Sequence, residues 1–227
     1  MQNNLIPLIP IPFIFVGMMI TWIARNKEDY KKVAIFQPIT TILTVIVALL
    51  GLLTPGAVFG YTMWILAGLL LSLAGDIFNI NMTKDNILYA ALIVFFFAYL
   101  VYPIGITIYN GFHFEDIYVA IGLLLVLICL LSYIWKGLGK EWKIPVMLYA
   151  MVMLFMVHRA VSTFFGDFFS TTQAVFLTIG TSILFIADSE YSIHRFIKPF
   201  KFIIGPFLYP TGQLLIALST SYFPGIE

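Results

Sequence analysis

Apolar runs of about 20 residues follow one another along the chain, separated by short polar connections. Eight stand out: 5–24, 33–53, 57–80, 86–109, 116–135, 143–165, 172–190 and 201–223. Each is long enough to cross a bilayer as a helix. Segments such as LTVIVALLGLL and GLLLVLICLL are apolar without alternation, whereas a membrane barrel needs strands that alternate apolar and polar. The first run has no basic residue before it and no small-residue cleavage site after it, the pattern of a retained helix rather than a cleaved signal. The pattern therefore predicts an all-α membrane protein of eight transmembrane helices in a single polytopic domain, 1–227.

Against that background the polar positions carry the information. Asp76 sits in LLLSLAGDIFNI and Asp188 in TSILFIADSEYSI. An ionisable side chain at membrane depth costs about 2.5–3.5 kcal/mol even on insertion scales, so such groups mark functional sites by default. Ser72, Asp76 and Asn79 recur at helical spacing and form one polar stripe on the third span; Thr181, Asp188 and Ser192 do likewise on the seventh, and Tyr209 and Gln213 on the eighth. Gln37, Tyr99, Tyr102 and Tyr149 fall at similar depth on other spans, which predicts one shared cavity. Each has a plainer role to set beside this one. The tyrosines are common packing and interface residues, and Gln37 and Gln213 can bond neighbouring helices for under about 1 kcal/mol each. Glu190 is expected in solvent, and Arg159 near the outer end of the sixth span, snorkelling to headgroups or approaching Asp167.

Composition narrows the class. Charged residues make up 10% and hydrophobic ones 61%, with a mean hydropathy of +1.01, against about 25% charged in soluble domains. Lys and Arg are distributed one-sidedly. Arg25, Lys27, Lys31, Lys32, Lys84, Lys136, Lys140, Lys143, Arg195, Lys198 and Lys201 all fall in or beside the odd-to-even connections, while TPGAVFG, YNGFHFED and FFGDFFS have none. The positive-inside rule then places those connections in the cytoplasm and both termini outside. The single Cys129 excludes an intrachain disulfide. His113, His158 and His194 lie too far apart along the predicted topology to share a metal, so neither metal nor cofactor is expected. No nucleophile elbow, phosphate loop or basic-aromatic nucleic-acid patch is present.

Tyr102-Pro103-Ile104-Gly105 recurs as Tyr209-Pro210-Thr211-Gly212, 107 residues later, and Pro38 has a counterpart in Pro145 at the same offset. Asp76 and Asp188 fall at matching ends of the third and seventh spans. This points to two parallel four-helix repeats, 1–110 and 111–227; the frequency of proline in membrane helices makes coincidence the rival explanation.

The segments SLAGDIF (72–78), FIADSEYSIHRF (185–196) and YPTGQLLIA (209–217) resemble the lysoplasmalogenase family, the YhhN-like multi-span membrane proteins, over nearly the whole chain. Two departures stand out: Gln37-Pro38 where the family usually has Lys-Pro, and Ala98-Tyr99 where it tends to have Ala-His. The resemblance implies hydrolysis of the sn-1 vinyl ether of a lysophospholipid substrate, releasing a fatty aldehyde and a glycerophospho-alcohol. Asp76 and Asp188 would be the acid–base pair. Gln37, Tyr99, Tyr149, Ser189, Tyr209 and Gln213 would line the substrate site. The residues suit this chemistry, because protonating carbon and capturing the oxocarbenium ion with water parallels two-carboxyl glycoside hydrolysis. The competing class is a proton-coupled carrier or lipid-binding protein, which would also use intramembrane Asp and proline-broken helices.

Overall fold

A computed structural model describes residues 5–78, 80 and 85–221. Among these, eight α-helices and no strand are present: α1 Ile11–Asn26, α2 Tyr30–Gly51, α3 Phe59–Phe78, α4 Asp85–Asn110, α5 Asp116–Ile134, α6 Lys140–Ser162, α7 Thr171–Phe196 and α8 Gly205–Leu218. Seven are long and apolar enough to cross a membrane. The expected eighth span is not one of them, since α8 has only 14 residues. It starts late, because Gly205-Pro206 opens the helix and Pro at a first helical turn suits an N-terminus. It ends early, because Ser219 and Thr220 turn their hydroxyls back onto the carbonyls of Ile216 and Ala217, at 2.7 and 2.8 Å, as the chain tightens into a 3-10 turn. The stretch 222–223 of the expected eighth span lies outside the described residues, as do Asn79 of the third-span stripe and Lys84.

The surface is the reverse of a soluble protein's. Phe13, Ile35, Ile42, Leu49, Ile93, Leu125 and Ile186 point outward, while Thr44, Thr62, Ser72, Asp76, Gln173, Thr181 and Gln213 are buried. In lipid an apolar exterior costs nothing and interior polar groups must find one another. Helix ends are closed locally. The Asp29 side chain accepts from Lys32 N at 3.2 Å at the start of α2. Ser170 and Gln173 form a reciprocal capping box at the start of α7, and the Gln173 amide reaches on to Ser219 O at 2.7 Å.

Packing brings the two carboxylate-bearing helices into corresponding environments. The Asp76 helix α3 packs chiefly on α4 and also on α2; the Asp188 helix α7 packs chiefly on α8 and also on α6. Two close approaches need glycine. A Cβ on Gly68 would stand 2.4 Å from the Tyr102 ring, and one on Gly212 would stand 2.6 Å from Gly180 O. Small residues at such crossings let the backbones meet, here drawing α8 onto α7.

Candidate functional site

At the end of the bundle that carries the basic connections, α1, α2, α4, α6, α7 and α8 enclose a cavity of about 330 Å³. Polar groups come from Thr21 and Arg25 of α1, Gln37, Thr40 and Thr41 of α2, Tyr149 of α6, Asp188 and Tyr191 of α7, and Tyr209 of α8. Leu88, Leu92, Phe95, Trp142 and Val146 supply apolar wall.

Asp188 reaches the cavity surface. Tyr149 fixes it by donating to Asp188 Oδ2 at 2.5 Å. The Tyr99 hydroxyl approaches the same carboxyl but closes no hydrogen bond with it. Its ring packs beside those of Phe95 and Tyr149, with centroids 6.0 and 5.9 Å apart. Tyr99 is therefore a supporting layer, buried and outside the lining.

Asp76 differs. It is fully buried and does not line the cavity, whose wall at this point is made by its own partners. Gln37 Nε2 donates to Asp76 Oδ1 at 2.7 Å, the Thr41 hydroxyl donates to Oδ2, and Tyr209 lies against the same carboxyl. Both oxygens thus have side-chain hydrogen-bond partners from α2. The expectation that both aspartates face one cavity is met by Asp188 alone. Tyr99 and Tyr209 each lie within the field of both carboxyls.

Gln213 belongs to a layer beneath. It accepts from the Tyr102 hydroxyl at 2.9 Å and donates to Ser72 Oγ at 3.0 Å. Ser189 is not at this site. It lines a separate groove between α5 and α7, because the residue after Asp188 is turned by about 100° to the next helix face. Thr181 is also absent from the cavity, its hydroxyl returning to Leu177 O at 2.8 Å.

Three participants were not anticipated. Arg25 had the look of a loop cation, yet it lines the cavity and its Nη2 donates to Gln37 Oε1 at 2.8 Å. Its position beside Thr21, Trp22 and Asn26 at i−4, i−3 and i+1 was the available signal, since Trp22 and Asn26 both clamp Ile203 O, at 2.8 and 2.9 Å. Thr41, four residues after Gln37, shares its helix face. Glu190, expected in solvent, accepts from the backbone N–H groups of Ile204 and Gly205 and so fixes the segment leading into α8. The reason is that the α7–α8 connection folds back over α7 and offers orphan helix-start donors.

Arg159 is likewise not at the surface. It is fully buried and pairs with Asp116 Oδ2 at 2.7 Å, donates to Gly111 O and lies 4.4 Å from the Phe112 ring centroid. Asp167 is not its partner, because Asp116 opens α5 directly opposite and also accepts from His113 N at 3.0 Å.

A model of the YhhN family matches residues 34–220. The chain belongs to the YhhN family. That family includes lysoplasmalogenases, and the match takes in both aspartates, Gln37, Thr41, Tyr149 and Tyr209, while Arg25 lies before it. Neither the curated proteins nor the solved structures give a match.

Proposed function

We propose that this YhhN-family protein is a membrane hydrolase that cleaves the sn-1 vinyl ether of lysoplasmalogens. The observation that carries the reading is Asp188, a carboxyl held by Tyr149 at the surface of a cavity buried among apolar helices. Protonated Asp188 delivers its proton to the outer carbon of the C=C bond, and the electron pair of that bond forms the new C–H bond. The carbon attached to oxygen becomes an oxocarbenium ion. Water adds to that carbon and returns a proton to Asp188, regenerating the acid and giving a hemiacetal. The hemiacetal hydroxyl proton passes to the ether oxygen as the C–O bond breaks, leaving a fatty aldehyde and a glycerophospho-alcohol.

Asp76 works from behind the wall. Its charge offsets the oxocarbenium ion in a low-dielectric setting, and its bonds to Gln37 and Thr41 orient two groups that face the cavity. Arg25, Arg195 and Lys201 at the rim suit the substrate phosphate. The Lys/Arg asymmetry favours this rim in the cytoplasm and the start of α1 outside; impermeant thiol reagents reaching cysteines placed in the basic connections only from the cytoplasmic side would agree.

Purified protein given a lysoplasmalogen is expected to release aldehyde, and Asp188→Asn to bind the lipid without turnover. No aldehyde from the folded wild type would end this reading and favour a proton-coupled carrier.

A further inference from the structure

We infer that the hydrocarbon chain of the bound lysolipid leaves the cavity past Phe200 and lies in the groove between α5 and α7. This rests on the lysolipid reading above. Size is the first argument. At about 330 Å³ the cavity is at the lower end of the roughly 300–1,000 Å³ that holds drug-sized ligands. A phosphorylated headgroup, glycerol and a long chain together exceed it. The basic rim and Asp188 take the phosphate and the vinyl ether, and the apolar wall of Leu88, Phe95 and Val146 takes the start of the chain, so its far end is the part that must lie elsewhere.

The second argument is continuity. A groove of about 680 Å³ runs along the lipid-facing side of α5 and α7, lined by Leu125, Cys129 and Leu130 on one side and Phe185, Ile186 and Ser189 on the other. Phe200 and Glu190 line both spaces, so they form the partition. Of the two, Glu190 is held by the N–H groups of Ile204 and Gly205. Phe200 is held through its backbone, which donates to His194 Nδ1 at 2.8 Å, while its ring, beside that of His194 with centroids 5.8 Å apart, is partly exposed. Rotation of that ring joins cavity and groove without moving a helix. The groove exists because α5 is anchored mainly to α6 and touches α7 only lightly. The Ser189 hydroxyl, buried without a hydrogen-bond partner, belongs to this incompletely packed seam.

The test uses the wild-type protein in lipid nanodiscs and a saturated alkyl-ether lysolipid with a diazirine at its chain end, which cannot be hydrolysed. Photolysis is expected to give adducts within 122–131 and 183–193. The same lipid without diazirine, at tenfold excess over its dissociation constant, should cut those adducts about tenfold by mass action. Cys129→Trp, which fills the groove, should move the adducts elsewhere. Adducts indifferent to the competitor, or spread equally to the outer face of α2 at Ile42 and Leu49, would overturn the inference. Aldehyde release with such uncompeted labelling would leave hydrolysis standing and remove the groove. Competed groove labelling without aldehyde release would support the groove and remove hydrolysis.

Discussion

Arg25 reaches from α1 to Gln37 on α2, donating from Nη2 to Oε1 at 2.8 Å, and the amide nitrogen of Gln37 donates onward to Asp76. The positive charge that Lys-Pro would bring to the second span thus stands one helix away, with a glutamine between it and the carboxylate. An amide can do this because it accepts at one end and donates at the other.

This relay predicts a rescue. Arg25→Gln removes a charge-assisted hydrogen bond worth about 1.5–3 kcal/mol, so kcat/KM should fall roughly 10- to 100-fold. Gln37→Lys added to that variant should recover much of the loss by placing the cation directly on Asp76. A merely structural Arg25 would give no recovery, and kinetics on the double variant decide between the two.

At Asp188 the prediction is sharper. Asn keeps the shape and still accepts from Tyr149, but supplies no acidic proton, so turnover should fall by about 10²–10⁴-fold with lipid binding retained. Tyr149→Phe removes one hydrogen bond to the carboxyl and should cost less, about tenfold. Wild-type kcat should fall as pH rises, because deprotonated Asp188 cannot protonate carbon; a kcat flat across the titration of Asp188 would exclude it as the acid.

Asp76 should behave as a positioning residue. Asp76→Asn is expected to lower kcat while leaving the alkaline fall in kcat where Asp188 sets it. Thr41→Val leaves one Asp76 oxygen without its buried donor, at about 1–3 kcal/mol, and should act in the same direction more weakly. If Asp76→Asn moved the alkaline limb itself, Asp76 would take part in the proton transfer. Steady-state pH profiles of both variants make the distinction.

The sequence carried the helices and the two aspartates, because apolar runs of bilayer length and charges within them are one-dimensional signals. It did not carry depth. Asp76 and Asp188 occupy matching places in their spans, yet Asp76 is covered by Gln37 and Thr41 while Asp188 opens to the cavity. That difference depends on neighbouring helices, not on spacing. Ser189 was misplaced for a related reason, since adjacency in sequence is a change of face on a helix. Arg25 was hidden by its position: a basic residue at a helix end looks the same whether it meets water or folds inward. The short α8 was hidden because Lys201 to Ile204 are as apolar in sum as a helix start, although a bond donated by Trp22 and bonds accepted by Asn26 and Glu190 hold them as a connection.

Glu28 gives a stability prediction at the cavity mouth. Its φ of 56° is left-handed, and the N–H of Asp29 bonds Ala24 O at 2.8 Å while that of Glu28 bonds Arg25 O at 3.1 Å. This is the helix-ending geometry in which glycine is usual. Glu28→Gly should therefore raise thermal stability by about 1 kcal/mol, read as a higher midpoint in detergent; an unchanged or lower midpoint would show that the Glu28 side chain repays its backbone strain.

At the far end of the bundle, Arg159 and Asp116 form a buried pair at 2.7 Å. Removing one member leaves the other as an uncompensated charge, which costs about 3–5 kcal/mol. Arg159→Met should lower stability on that scale, whereas Arg159→Met with Asp116→Asn should lower it by clearly less than the sum of the two single changes, since neither buried charge remains. Because this pair is remote from the cavity, the double variant should keep its KM for lipid if it folds. Additive losses in a denaturant titration would mean that the two side chains stabilise the bundle independently, through packing rather than through their charges.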